Sequence, residues 1–197
     1  MIKIEDLKKE SVERLEKEYL NSSVFNLAKH RLLWLVVLMI SATLTGSIIS
    51  KYEHILQSMV ILAASIPMLM DTGGNAGSQS STLIIRGMAL GEIKIKDYGK
   101  VLWKELRVSL IVGIGLGILN FCRMFFLLKN PLDISFLVSL TLGITVVLAK
   151  LVGGILPMIA KKLKLDPAIM AGPLVTTVVD GVALIIYFYL AILILKL

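Results

Sequence analysis

The chain has 197 residues, 56% of them hydrophobic, and a formal net charge of +7 at pH 7. Long apolar runs fill most of it, which excludes an ordinary soluble domain. The basic residues do not alternate with exposed aromatic residues on a soluble surface, which argues against nucleic-acid binding. The sequence therefore predicts an all-α protein of the lipid bilayer.

Taken in chain order, the elements begin with a short, charged cytosolic segment at residues 1–28, which precedes a predicted five-helix transmembrane domain at residues 29–197. About 20 mostly apolar residues are enough for one helix to cross the hydrocarbon core. The predicted spans are 32–50, 55–85, 108–128, 134–160 and 168–195.

The second span is longer than one crossing needs and is interrupted by Pro67, Gly73, Gly74 and Gly77. We expect it to be kinked or partly unwound, because irregular backbone at membrane depth occurs where it is buried in protein or lines a wet cavity. Segments interrupted in this way often mark a path for a ligand across the membrane.

Charge distribution predicts the orientation. Three clusters, at residues 3–31, 86–107 and 161–164, hold 16 of the 21 Lys and Arg residues. Since positive residues are retained on the cytosolic side, all three are placed there. The prediction is a multi-pass plasma-membrane protein with a cytosolic N-terminus and an extracytosolic C-terminus.

Two carboxylates, Asp71 and Asp180, lie inside apolar spans, where each costs roughly 2.5–3.5 kcal/mol on insertion scales. In the fifth span, Thr176, Thr177 and Asp180 share a helical face with Pro173. These oxygen ligands suit a hard cation such as Mg²⁺. The alternative is that the threonines bond back to the helix and that Asp180 pairs with a basic residue, for which Lys150 is the candidate.

The second span offers a further polar tract. Gly73, Gly74 and Asn75 follow Asp71, and Asn75 shares a helical face with Gln79. Their carbonyl and amide oxygens would be free to face an ion or its water shell, whereas the alternative is a packing patch of small residues. Mg²⁺ keeps several waters, and a single Asp180 would give a wide site only one charged ligand. Two copies around a twofold axis would supply two carboxylates, which favours a homodimer.

Two stretches, PMLMDTGGNAGSQSSTLIIRGMALGEI and DPAIMAGPLVTTVVDGVALIIYF, resemble the signature regions of the MgtE family of magnesium channels. The resemblance extends from about residue 25 to the end of the chain. It implies a homodimer with five membrane helices per subunit and a pore at the subunit interface, lined chiefly by the second and fifth helices.

The resemblance also implies roles for individual residues. Asp180 would recognise hydrated Mg²⁺ at the centre of the pore, Gly73, Gly74 and Asn75 would border the same region, and Asp166 would lie near the cytosolic mouth, where a further ion binds. The sequence departs from the family at Asp71, an added carboxylate. About 28 residues precede the first span, too few for the soluble and CBS domains typical of the family, so we expect gating by the membrane part, the N-terminal segment or a separate soluble protein.

The expected function is passage of a divalent cation, Mg²⁺ above all, with Mn²⁺ or Co²⁺ as further candidates. The alternatives are an Na⁺- or H⁺-coupled transporter or exchanger of the same fold, and a membrane subunit that depends on a separate regulatory protein. No nucleophile and base, phosphate loop or cofactor motif lies outside the spans, so no enzyme is expected.

Overall fold

The computed structural model describes residues 21–165 and 167–196, without the side chains of Asn26, His30, Ser58 and residues 168–172. These residues form helices and connecting turns with no strand, which confirms the all-α prediction. We number the five helices of 25 residues or more in chain order: α1 Val24–Lys51, α2 Val60–Ala89, α3 Tyr98–Cys122, α4 Leu132–Lys162 and α5 Pro167–Leu195.

Four stretches of the described chain are long and apolar enough to cross a membrane: Leu27–Lys51, Ile95–Leu127, Leu132–Lys162 and Pro173–Leu195. The helix outside this set, α2, has 30 residues but carries the polar tract at 71–82. Its length permits a crossing. The arrangement of five crossings therefore remains a prediction for which α2 is the critical helix.

The chain divides within α1 into two compact units, Met1–Ile40 and Ser41–Leu197. The first unit contributes the helical residues 24–40, most of which are apolar. Everything described below belongs to the second unit. There a six-residue helix, Glu53–Ser58, joins α1 to α2, and a π-helical turn, Arg123–Leu127, continues α3 toward α4.

Helix α4 is central to the second unit, because it packs against α2, α3 and α5, while α2 also packs against α5. Their apolar faces form a core in which Tyr187 and Phe188 are fully buried. The Tyr187 hydroxyl donates to the Leu62 carbonyl at 3.0 Å, and Phe188 stacks on Tyr52 with ring centroids 4.4 Å apart. This core fixes α5 against the first half of α2.

Glycines allow the backbones of α2 and α4 to touch. A Cβ on Gly153 would overlap the Gly77 carbonyl oxygen, and a Cβ on Gly77 would lie 3.1 Å from the Ala149 carbonyl oxygen. Small residues permit this kind of approach between membrane helices. The crossing brings the middle of α2 directly against α4.

Helix α2 is continuous from Val60 to Ala89, so the expectation of partial unwinding around Gly73 and Gly74 is wrong. Both glycines are helical and buried. Pro67 also lies inside the helix. Neighbouring helices can satisfy the backbone groups that a proline or glycine frees, and the glycines are required by packing and not by a break in the helix.

Candidate functional site

Asp180 lies near the middle of α5, and its neighbours place it beside α2. The preceding residue, Val179, faces Gly73, where an added Cβ would lie 2.9 Å from the valine Cγ1. One turn earlier, the Thr176 Cγ2 would lie 3.0 Å from a Cβ on Gly74. Among the predicted site residues, Gly74 and Thr176 are therefore in close packing, and Gly73 packs against the residue that precedes Asp180.

The carboxylate of Asp180 is the most unusual polar group in this region. Its Oδ1 is buried and accepts no hydrogen bond from any residue that the structure describes. A buried charged oxygen without a donor is costly unless a cation or water satisfies it. Lys150 does not do so, since its ammonium contacts a residue of α2 instead. The alternative in which Lys150 pairs with Asp180 is thus wrong.

The two threonines do bond back to the helix, as the alternative held. The Thr176 hydroxyl donates to the Pro173 carbonyl at 2.8 Å, and the Thr177 hydroxyl donates to the same oxygen at 3.0 Å. Both side chains remain half-buried, one turn before Asp180. Each oxygen still keeps lone pairs that can accept from water.

A polar stripe runs along the exposed side of α2. Asp71, Asn75 and Gln79 are four residues apart and all exposed, while Gly73, Gly74 and Ser80 on the same helix are buried. An open groove of about 770 Å³ lies on this stripe, lined by Asn75, Ser78, Gln79, Thr82 and Leu83. Polar side chains of this kind are unsuited to contact with lipid.

A second groove, of about 570 Å³, lies between α3 and α4 and has a different character. Apolar side chains and glycines line it almost entirely, among them Leu110, Gly113, Ile114, Phe136 and Gly143. No predicted site residue that the structure describes borders it. Its surface suits acyl chains, and we assign it no part in cation binding.

One buried carboxylate was not singled out from the sequence. Glu105, on α3, is buried and accepts a hydrogen bond of 2.6 Å from the Ser80 hydroxyl of α2. Its position in the basic approach to the third span gave no reason to expect burial. Its spacing from Val101 and Ser109, which are also buried, is the only sequence signal of an inward face.

Two expectations concern metal ligands and the cytosolic mouth. Among the residues that the structure describes, no group of three or more His, Cys, Asp and Glu side chains comes together to hold a metal. Asp166 lies outside the described residues, so its predicted role stays a prediction. Any cation held at Asp180 by one protomer would rely on few direct ligands.

Comparison with known proteins identifies the family. Residues 66–190, which include α5 through Leu190 and all of the α2 stripe, match the family model MgtE, described as a divalent cation transporter. The chain belongs to the MgtE family. The resemblance proposed from the two signature stretches is therefore confirmed, and the matched proteins bear the names of transporters and not of enzymes.

Three curated MgtE relatives are each named magnesium transporter MgtE. Identity is 37% over 166 residues with the Thermus thermophilus protein, 37% over 164 residues with that of Bacillus subtilis, and 30% over 177 residues with that of Enterococcus faecalis. These alignments cover 84%, 83% and 90% of this chain. They span only 36%, 36% and 39% of the relatives, so the chain matches well under half of their length.

Proposed function

We propose that this chain forms a homodimeric membrane channel that passes divalent cations, Mg²⁺ foremost, down their electrochemical gradient. The observation that carries the proposal is the buried Oδ1 of Asp180 in the middle of α5, which has no hydrogen-bond partner among the described residues. A carboxylate at such a depth normally marks an ion pathway. The relatives named magnesium transporters support Mg²⁺ as the ion. Mn²⁺ and Co²⁺ are further candidate ions.

Oxygen chemistry supports a hydrated ion at this level. Asp180 supplies a charge, Thr176 and Thr177 supply hydroxyl oxygens, and Asn75 supplies an amide on the neighbouring α2 stripe. Mg²⁺ sheds water reluctantly, so recognition through its water shell needs few direct contacts. One protomer offers one carboxylate to such an ion, and a second copy would double the negative charge of the site.

The α2 stripe supports the dimer. Asp71, Asn75 and Gln79 are exposed on a helix that packs within an otherwise apolar bundle. Facing lipid would be unfavourable, whereas facing the same stripe of a second subunit would enclose a polar path. In this arrangement Gly73 and Gly74 act by letting α5 approach α2, and Asp71 adds negative charge at one end of the path.

The field across a plasma membrane would drive uptake. With the basic clusters on the cytosolic side, the N-terminus is cytosolic and the C-terminus extracytosolic. A divalent cation moving inward through 100 mV gains roughly 4–5 kcal/mol. No second gradient is needed for inward flux, and a separate soluble protein would then act as a regulator.

A coupled Na⁺ or H⁺ mechanism is the second candidate. Lys150 is buried next to the α2 stripe, and Asp71 is exposed on that stripe, so an acid and a base both lie along the proposed path. Ionisable residues in such positions form proton relays in some transporters. Flux that requires an imposed Na⁺ or pH gradient would favour this mechanism.

The deciding experiment is Mg²⁺ uptake into liposomes that contain only the purified chain, with the membrane potential clamped. We expect uptake that grows with inside-negative voltage and proceeds without an Na⁺ or pH gradient. Empty liposomes and liposomes with the Asp180→Asn protein are the controls. Uptake that appears only with a second gradient would replace the channel with coupled transport, and uptake that appears only with an added cytosolic fraction would point to a regulatory partner.

Cysteine accessibility tests the location of the path. In a Cys122→Ser background, we expect cysteines at Asp71, Asn75 and Gln79 to react rapidly with a charged methanethiosulfonate reagent, because water reaches the α2 stripe. Reaction should also reduce uptake. Ile114→Cys is the matched control, since Ile114 is 62% exposed but lies at the apolar groove. Equal rates at Asn75 and Ile114 would contradict a polar path along α2.

A further inference from the structure

Lys150 is a buried basic residue in the interior of α4, with 6% of its surface exposed. Among the residues that the structure describes, no carboxylate lies within 4.0 Å of its ammonium. A lysine in a membrane segment is costly and by default points to a functional site. The function proposed above gives it no role in conduction by the channel.

The crossing of α2 and α4 determines where this lysine points. Ala149 and Gly153 both contact Gly77 through close backbone approach. Lys150 follows Ala149, and its Nζ lies 3.5 Å from the Gln79 Oε1, two residues beyond Gly77. The ammonium therefore approaches the polar groove of α2 from the side of that helix that packs against α4.

The orientation of the Gln79 amide extends the electrostatic effect of Lys150 into the groove. An ammonium group can only donate hydrogen bonds, so the amide oxygen of Gln79 must face Lys150. The amide NH₂ group, the positive end of the side-chain dipole, is left for the groove that Gln79 lines. Both features give this part of the groove a positive potential.

The position along the path follows from the helix contacts. Gly73 lies opposite Val179, which places Asp180 level with the 71–73 turn of α2. Gln79 is six to eight residues further toward the Arg86 end, which is about 10 Å along a helix. By the orientation proposed above, this is the cytosolic side of Asp180.

We propose that the Lys150 ammonium is an electrostatic determinant of cation affinity and selectivity, which weakens the binding of cations at Asp180 and along the α2 groove, and weakens that of divalent cations more than that of monovalent ones. This inference rests on the proposed function of the groove. Conduction requires that an ion bind well enough to enter and weakly enough to leave. By opposing the attraction of Asp180, Lys150 keeps binding weak enough for the ion to leave.

The charge of the ion sets the size of the effect. The Lys150 charge, at Gln79, is about 10 Å along the helix from the level of Asp180. In a medium with the dielectric constant of water, a unit charge at this distance changes the occupancy of a monovalent cation at Asp180 about twofold and that of a divalent cation about fourfold. A lower dielectric constant enlarges both factors. At any dielectric constant the divalent factor is the square of the monovalent factor, which a purely structural role would not produce.

The test is the binding of Mg²⁺ and of K⁺, measured as ligand-dependent thermal stabilisation of the purified protein. Only the part of the thermal stabilisation that is lost in Asp180→Asn is used, because that part reports binding at Asp180. In Lys150→Met we expect the apparent Kd to fall about fourfold or more for Mg²⁺ and by the square root of that factor for K⁺. Lys150→Gln should behave in the same way and supplies the result if the methionine variant does not fold.

Two variants control for charge and position. Lys150→Arg keeps the charge, and Lys162→Met removes an exposed lysine at the end of the same helix. Both should keep the wild-type Kd values. Unchanged Mg²⁺ affinity in both neutral Lys150 variants, or equal factors for Mg²⁺ and K⁺, would overturn the proposal. Wild-type liposomes without uptake would instead overturn the proposed function, because the binding measurement does not depend on flux.

Discussion

Asp180→Asn should reduce Mg²⁺ uptake by more than about 100-fold while leaving a folded dimer. Asparagine has the same shape but no charge, so the proposed homodimer would lose two carboxylates from the centre of the proposed path. At about 5 Å from a hydrated dication in a medium with the dielectric constant of water, the pair contributes about 3 kcal/mol. The loss would appear as reduced occupancy of the path and so as reduced flux.

The measurement is voltage-driven Mg²⁺ uptake into liposomes, accompanied by size-exclusion chromatography of the same protein. Asp71→Asn is the matched control, because it removes one carboxylate from each subunit at an exposed position of the α2 stripe. We expect Asp71→Asn to lower uptake much less. Uptake by Asp180→Asn at the wild-type rate would refute Asp180 as the recognition residue.

Gly153→Ala should destabilise the protein by about 3 kcal/mol and abolish uptake. The added Cβ would overlap the Gly77 carbonyl oxygen and lie 3.0 Å from the Gly77 Cα. Both are backbone atoms, which cannot rotate away as the end of a flexible side chain would. Overfilling a packed contact typically costs about 1–3 kcal/mol, and here relief requires α2 and α4 to separate.

Unfolding in detergent, followed by tryptophan fluorescence, measures the change. Gly115→Ala is the control, since a Cβ at Gly115 would meet no atom of the described residues within 4 Å. In that helix an alanine should be neutral or slightly stabilising, by at most about 1 kcal/mol. If Gly153→Ala and Gly115→Ala unfold alike, the contact between α2 and α4 is looser than described.

Helix positions follow readily from the sequence because apolar length decides them. The predicted fifth span, 168–195, differs from α5 by one residue, and the predicted fourth span, 134–160, differs from α4 by two at each end. The predicted third span, 108–128, begins ten residues after the start of α3 at Tyr98. The first turns of α3 carry lysines that hydropathy assigns to a loop, although the helix continues through them.

Glycine roles could not be decided from the sequence. An absent Cβ serves equally for a flexible backbone and for close contact between helices. Gly73 and Gly77 turned out to serve contact, because the neighbouring side chains of Val179 and Val175 occupy the space beside them. Only the register between helices distinguishes the two uses.

The same limitation applies to polar partners. Lys150 and Asp180 both lie in apolar helices, where a charged side chain is costly, so pairing them is a reasonable expectation from the sequence. The crossing at Gly77 instead directs Lys150 toward Gln79, and it leaves Ser80 for Glu105 on the other side of α2. Residues from different helices meet through packing that no single segment encodes.

The hydrogen bonds of Thr176 and Thr177 to Pro173 determine the direction of their protons. Both hydroxyl hydrogens are committed to one carbonyl oxygen, so neither is available to an incoming ligand. The threonine oxygens therefore present lone pairs only, and with Asp180 this turn of α5 is a surface that accepts hydrogen bonds and offers none. The water around a metal cation points its hydrogens outward and fits such a surface, whereas the water around an anion points its oxygens outward and does not. In the proposed pathway, the orientation of two hydroxyl groups would thus favour cations over anions, in addition to the charge of the carboxylate.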